Sequence, residues 1–318
     1  MIECYKTSAG VTQIIEAPEP GCWVNVVSPT SDEREWLRNE LGIEPEFVNA
    51  TLDDEERSHV DYDDDSRQTL VIVDCPSIED AADTKSPDIV QYDTHPLSFL
   101  FLPEQDMLVT VALRHNLTID AFVENRLQRI NTNQRTRLLL MMLLNVAHQY
   151  QIYLRNLNRQ FTRVERELRQ SMRNNDLIKM LGFQNSLVYF SISLKADETM
   201  LQRIQKGRVI KMYEEDQDLL EDVQIEFRQA IEMCTINTSI LEGTMDTFSS
   251  VINNNMNQVM RRLTLITLMM AIPTIVFSFY GMNIEGLPGV CSWIIPIIVA
   301  IVACIVAGII IHRSKALK

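Results

Sequence analysis

Proline is missing from residues 104–272, a stretch of 169 positions that holds only three of the ten glycines. A turn-rich fold is excluded for most of that stretch, because a chain without breakers runs as long helices. The six cysteines (Cys4, Cys22, Cys75, Cys234, Cys291, Cys304) contain no C-x-x-C pair, and the five histidines are scattered. That spacing offers neither a disulfide framework nor a zinc site. No nucleophile–base pair or metal-ligand cluster stands out, so an enzyme is not expected. The first six residues lack a basic region followed by an apolar run, so no signal peptide is expected. Charge is also missing from two stretches, the 18 residues 263–280 and the 19 residues 293–311.

As helices these two stretches span roughly 27–29 Å, close to the bilayer's hydrocarbon core of about 30 Å. They read as two transmembrane helices joined by a short loop, 281–292, which has no Lys or Arg and one acid, Glu285. Arg261 and Arg262 precede the first span, and His312, Arg313, Lys315 and Lys318 follow the second. The bias of basic residues places both termini in the cytoplasm and the loop outside.

The net charge of −14 hides an asymmetry. Residues 1–261 hold 42 of the 43 acids but 25 of the 29 bases, a net of −17. Nucleic acid and anionic lipid headgroups repel such a surface, whereas cations are attracted to it. For any single acid the plainer reading is a solvated surface carboxylate. The acidic run 53–65 lacks the glycine and terminal glutamate of a calcium loop and reads as a solvated loop and strand edge.

Eight of the eleven prolines lie in residues 18–103, where strand and helix signals alternate. Strands are expected at Cys22–Val27, 69–74, 89–92, 97–102 and 107–111. Thr30-Ser31-Asp32-Glu33 is a capping box that opens a helix to about Leu41, which Gly42 ends, and residues 46–52 form a second short helix. The expected organisation is a cytoplasmic α/β domain at 1–115 and a cytoplasmic helical region at 116–210. A long stalk helix at 211–280 continues as the first membrane helix at 263–280. The loop 281–292, the second membrane helix 293–311 and a cytoplasmic tail 312–318 complete it. Within the helical region, one helix is expected from Arg135 to Met172, with Arg163, Glu165, Arg166, Glu167 and Arg169 at ion-pairing spacings. Gly182 is expected to interrupt the chain before a helix that ends at Lys206, and Gly207 to interrupt it again. The stalk helix would be about 105 Å long, so it needs partners along its length, and an oligomeric coiled-coil stalk is expected.

The informative pattern lies on that helix. Asp246, Ser250, Asn253, Asn257, Met260, Thr264, Thr267, Ala271, Thr274, Ser278 and Gly281 alternate steps of four and three. This 3.5-residue period keeps one seam facing the axis of a bundle. Small and hydroxylated residues in an apolar span also suit plain helix packing. Packing does not require the polar line to continue out of the membrane into Asn257, Asn253 and Asp246, whereas a water-filled path does. The first span is therefore expected to line a pore and the second, which has no such line, to form an outer ring. Met260 and Leu263 are bulky apolar residues at the cytoplasmic end of that path, either ordinary seam packing or a constriction that gates by excluding water.

Tyr280-Gly281-Met282-Asn283 follows the lining helix, just before a short loop and a second span. This arrangement resembles the CorA family of magnesium channels, whose signature is Gly-Met-Asn at this place. Asn257-Gln258-Val259-Met260, Thr264, Pro273, Asp246 and Trp23-Val24-Asn25-Val26 also look like that family's pattern. The resemblance implies a funnel-shaped homopentamer in the cell's inner (plasma) membrane, with Gly281, Met282 and Asn283 as the selectivity filter. It implies Mg²⁺ as both the transported and the regulatory ion. Asn283 would form a ring of amide oxygens that accept hydrogen bonds from the ion's water without stripping it, since Mg²⁺ dehydrates reluctantly. The resemblance also implies closure by cytosolic Mg²⁺ at acidic sites between subunits. Asp222 falls where the family's stalk carboxylate would lie, with Asp218 and Glu221 beside it among Glu214, Glu215, Asp216 and Glu226. Asp80 or Asp83 would be the partner from a neighbour. Co²⁺, Ni²⁺ or Zn²⁺ is the alternative cargo of the same fold. A zinc-transporting branch usually carries Ile in place of Met282, which argues for magnesium. A membrane-anchored coiled-coil scaffold without a pore is the alternative of a different class.

Overall fold

The computed structural model describes residues 1–79, 90–125, 130–171, 174–207, 209–282 and 294–313. Two compact units divide the chain, Met1–Thr244 and Met245–Lys318.

The first unit opens with strands β1 (Ile2–Ser8), β2 (Val11–Ile15) and β3 (Cys22–Val27). Ala9 and Gly10, both at positive φ, make the two-residue turn between β1 and β2, the backbone that a tight hairpin demands. Helices α1 (Ser31–Asn39) and α2 (Pro45–Thr51) follow, then strands β4 (His59–Tyr62), β5 (Thr69–Ile78), β6 (Tyr92–Leu102) and β7 (Met107–Ala112). Together the strands form one sheet in the order β2-β1-β3-β7-β6-β5-β4. Only β3 and β7 pair in parallel. The capping box is present: Thr30 Oγ1 accepts from Glu33 N, and Glu33 accepts from Thr30 N at 2.8 Å. Leu37, Phe47 and Val48 from α1 and α2 cover Cys22, Val24, Val26, Leu70, Ile72 and Val109 of the sheet.

Helices α3 (Leu117–Asn125), α4 (Arg135–Ser171) and α5 (Asn174–Gly207) follow in this unit, with α4 and α5 packed on β5 and β6. Tyr150 of α4, Phe190 of α5 and Tyr92 of β6 meet in one aromatic cluster. Arg163 pairs with Glu167 and Arg169 with Glu165 along α4, as their spacing implies.

Three expectations are corrected. Gly182 does not interrupt a helix; it lies inside α5, where its carbonyl accepts from Ser186 Oγ at 3.2 Å, and buried Met180, Phe183 and Leu187 hold the helix through it. The strand expected at 89–92 is not separate where it is described: Val90 and Gln91 are irregular, Tyr92 opens β6, and Ile89 lies outside the described residues. The strand expected to stop at 74 runs on to Ile78 through Pro76, and β6 likewise runs through Pro96. Each proline lies where the β5–β6 ribbon extends past its outer neighbours, β4 and β7, so a missing N–H breaks no second ladder.

Helix α6 (Glu214–Tyr280) runs on into the second unit, and α7 (Ile294–Arg313) follows it. Pro273 lies inside α6 and leaves the Met269 carbonyl without its helical N–H. The Cys304 thiol of α7 points at that carbonyl, 3.9 Å away, and the Met269 side chain lies against Gly308. A neighbouring helix thus compensates the proline, as happens in membranes.

Candidate functional site

The second unit's apolar part of α6 presents two seams. Leu265, Met269, Ile272, Val276 and Tyr280 are half-buried, and Met269 of this seam contacts α7. On α7 the matching residues are small: Ala300, Ala303, Cys304, Ala307 and Gly308 are buried or half-buried. Small residues let two helices approach closely.

The polar seam lies elsewhere. Thr264, Thr267, Thr274 and Ser278 are exposed and Ala271 is half-buried. At 3.6 residues per turn, this seam is about 170° around the helix from the one that holds α7. Asn253, Asn257, Ser250 and Asp246 continue it, all exposed, as are Met260 and Leu263.

The three threonine hydroxyls share one arrangement. Thr264 Oγ1 donates to the Met260 carbonyl at 2.8 Å, Thr267 to Leu263 at 2.9 Å and Thr274 to Met270 at 3.0 Å. Each hydroxyl's single hydrogen is committed to its own helix, which leaves oxygen lone pairs to face outward. The seam therefore presents acceptors. Acceptors suit a hydrated cation, whose water molecules point their hydrogens away from the metal.

Gly281 closes the helix. Its N–H donates to the Phe277 carbonyl at 2.9 Å, and a Cβ here would sit 3.2 Å from that same oxygen. The glycine relieves a tight approach here rather than supplying a left-handed backbone, since its φ is not positive. Met282 is exposed. Asn283 lies outside the described residues, as do Asp80 and Asp83.

In the first unit the stalk acids divide into two groups. Asp216 is buried and caps its helix by accepting from Tyr213 N at 3.2 Å. Glu226 accepts from Gln151 Nε2 at 2.6 Å, and Glu215 lies 3.6 Å from Arg137. Asp218, Glu221 and Asp222 are exposed. Asp218 and Glu221 line a groove of about 960 Å³ between the end of α5 and α6, together with Lys211 and Arg228. Among the described residues, no group of three or more His, Cys, Asp or Glu side chains is placed to hold a metal within one chain.

Sequence reasoning missed β1, β2, β4 and α3, the Cys304–Met269 contact, and a buried carboxyl pair described below. The Ala9-Gly10 turn was the available signal for the first hairpin.

Comparison with known proteins agrees with this architecture. The family model for "CorA-like Mg2+ transporter protein" matches residues 19–313. A curated relative, the cobalt/magnesium transport protein CorA of Methanocaldococcus jannaschii, is 27% identical over 267 residues, covering 84% of this chain and 81% of the relative. The complete structure of the CorA magnesium transporter from the same organism superposes with a TM-score of 0.82 at 23% identity, over 99% of this chain and 98% of that one. The ZntB cytoplasmic domain of Vibrio parahaemolyticus shares the fold over 79% of this chain and 98% of its own, with a TM-score of 0.62 and 12% identity.

Proposed function

Since the chain belongs to the family of CorA-like Mg²⁺ transporter proteins and is an integral membrane protein with two apolar helices, we propose that it is a passive channel for hydrated Mg²⁺ influx. The observation that carries this reading is the opposition of the two seams on α6. One seam is occupied by α7, and the seam about 170° away is polar and uncovered. Several copies arranged with the polar seam inward place α7 outside, against lipid. The family resemblance supplies the number of copies, five, and the inner membrane with both termini cytoplasmic.

In this arrangement Thr264, Thr267, Ala271, Thr274 and Ser278 line the path, with Asn257 and Asn253 at its cytoplasmic end and Asp246 below them. The threonine oxygens and a ring of Asn283 amides at the outer mouth accept hydrogen bonds from the ion's water shell. Neutral acceptors hold the ion weakly enough to release it, whereas a carboxylate ring would slow conduction. Met260 and Leu263 form the apolar constriction that closes the path by excluding water. Gly281 and Met282 set where the mouth begins. Asp222, with Asp218 and Glu221, binds regulatory Mg²⁺ together with Asp80 or Asp83 of a neighbour. Binding relieves repulsion between acidic subunits and favours the closed form. The name of the M. jannaschii relative supports Co²⁺ as a second cargo.

Mg²⁺ uptake by proteoliposomes tests the lining. Thr267→Val keeps the shape and removes the acceptor, and the expected result is a clear loss of flux. Ile266→Val, one residue away on an exposed apolar face, should leave flux unchanged. Equal flux in both would reject the polar seam as the path.

A further inference from the structure

One carboxyl group in the first unit is buried without a countercharge. Asp197 of α5 is fully buried. Its Oδ1 accepts from the Ser58 hydroxyl at 2.6 Å and from the Asp74 backbone N–H at 3.0 Å. Its Oδ2, equally shielded from solvent, has no hydrogen-bond partner. Asp74 of β5 is also buried, and its backbone N–H lies 2.9 Å from the same Ser58 Oγ.

Every element around the pair can be named. From α5 come Asp197 and Ser193, whose hydroxyl lies 2.8 Å from Thr94 of β6. From α4 comes buried Tyr150, which donates to the Asp74 carbonyl at 2.9 Å. β5 also contributes the buried Cys75, and β6 contributes Asp93. Arg57, exposed and next to Ser58, is the basic group that acts on Asp74. Among the described residues, neither carboxyl is in an ion pair.

Two carboxylates in a dry interface with one exposed arginine nearby cannot both ionise at ordinary cost. Burial first, and then the neighbouring Asp74 charge, push Asp197 well above the usual aspartate range. Asp74 is also raised, mainly by burial. A charge on Asp74 makes ionising Asp197 harder still.

We propose that Asp74 and Asp197 together retain one proton at neutral pH, and that this proton is the latch that seats α5 on strand β5. The same strand and α4 also hold the segment that leads to the stalk. Thr69 Oγ1 donates to the Val209 carbonyl at 2.9 Å, and Thr136 Oγ1 to the Lys211 carbonyl at 2.8 Å. Loss of the proton adds an uncompensated charge between α5 and β5, on the same strand that holds the Thr69 contact, and loosens the seating of α5. The sign follows from linkage. The folded chain binds a proton that the unfolded chain releases near pH 4, so stability falls as pH rises from there to the pair's own titration. This inference stands apart from the transport reading and does not depend on it.

The test is thermal unfolding of the full-length protein in detergent from pH 5 to pH 9, with and without EDTA. Asp197→Asn keeps the shape of the protonated side chain. The variant should melt above the wild type at high pH, with a gap wider at pH 9 than at pH 5 by about 3 °C or more. Asp64→Asn, on the exposed acidic run, should show no such pH-dependent gap. A gap independent of pH, or a variant less stable at every pH, overturns the proposal. A pH-dependent gap between wild type and variant that vanishes on adding EDTA also overturns it, because a cation and not a proton would then neutralise the pair. Infrared difference spectra of the wild type keep the question answerable if the variant does not fold. A protonated-carboxyl C=O band present at pH 7 and lost on alkalinisation is expected, and its absence contradicts the latch.

Discussion

The two units of this chain handle apolar surface in opposite ways. In Met1–Thr244 the large side chains are enclosed: Trp23, Tyr5, Phe99, Phe122, Phe183 and Phe190 are essentially inaccessible. In Met245–Lys318 they point outward, with Ile275 67% exposed, Met270 70% and Ile310 63%. The first unit completes its own core, whereas on the proposed reading the second is completed by lipid and by other copies. Polar groups are reversed in the same way. The first unit encloses Asp197, while the second leaves its threonine oxygens uncovered. What a sequence must specify differs accordingly: internal fit in one unit, the direction in which each face looks in the other.

Substitutions can sharpen or break this contrast. The largest effect should come from Trp23→Ala in the enclosed unit. Trp23 stacks on Tyr5 with ring centroids 4.9 Å apart and donates to Thr110 Oγ1 at 2.9 Å. Its removal should cost about 3–5 kcal/mol in denaturant unfolding. Phe277→Ala, on an exposed face of the second unit, should cost far less in detergent. Similar costs would remove the distinction between the units.

Next comes Thr274→Leu on the polar seam, which should cut Mg²⁺ flux about tenfold or more, one step of about 1.4 kcal/mol in barrier. Ile275→Leu, at the adjacent exposed apolar position, should leave flux within about twofold on the same scale. Equal losses would mean that the two faces of α6 do not differ in function.

Regulation should respond more modestly. Asp222→Asn is expected to raise the Mg²⁺ concentration that half-closes the channel by about fivefold, a coupling of about 1 kcal/mol. An unchanged midpoint removes Asp222 from the sensor.

The smallest effect concerns a cap. Thr30→Ala should destabilise the first unit by about 1 kcal/mol in denaturant unfolding. Glu33's carboxyl is held below the usual glutamate range, first by the Thr30 backbone N–H and then by the chain's amino terminus. A depressed acid contributes stability above its ordinary titration and loses it as pH falls through its folded value. The penalty of Glu33→Gln, which removes the charge that these two donors hold, should therefore shrink in acid, below about pH 4. A penalty that stays constant down to pH 2 argues against the capping box.

Legibility in the sequence follows the same division. The first unit's β3, α1, α2 and β7 were readable because local signals mark them: a β-branched run, a capping box, a proline at a helix start. The first hairpin was not, because both faces of β1 are partly buried and its sequence, Ile-Glu-Cys-Tyr-Lys-Thr-Ser, does not alternate cleanly. Gly182 misled because local propensity for a break is weaker than burial of Met180 and Phe183 around it. The carboxyl pair was invisible because Asp74 and Asp197 are 123 residues apart and meet only through the fold. In the second unit the polar seam was legible from spacing alone, since one helix carries it in regular steps. That the second span would lie away from this seam was also expected, but which face of α7 meets α6 was not legible, because small residues are common in any apolar span.

The most direct test of the central claim is Mg²⁺ flux into liposomes containing purified wild type or Asn283→Ala. The account predicts flux for the wild type, driven by membrane potential, and a fall of about tenfold or more for the variant, again a step of about 1.4 kcal/mol. Equal flux in the two would contradict the outer amide ring, and no flux in either would contradict the channel itself.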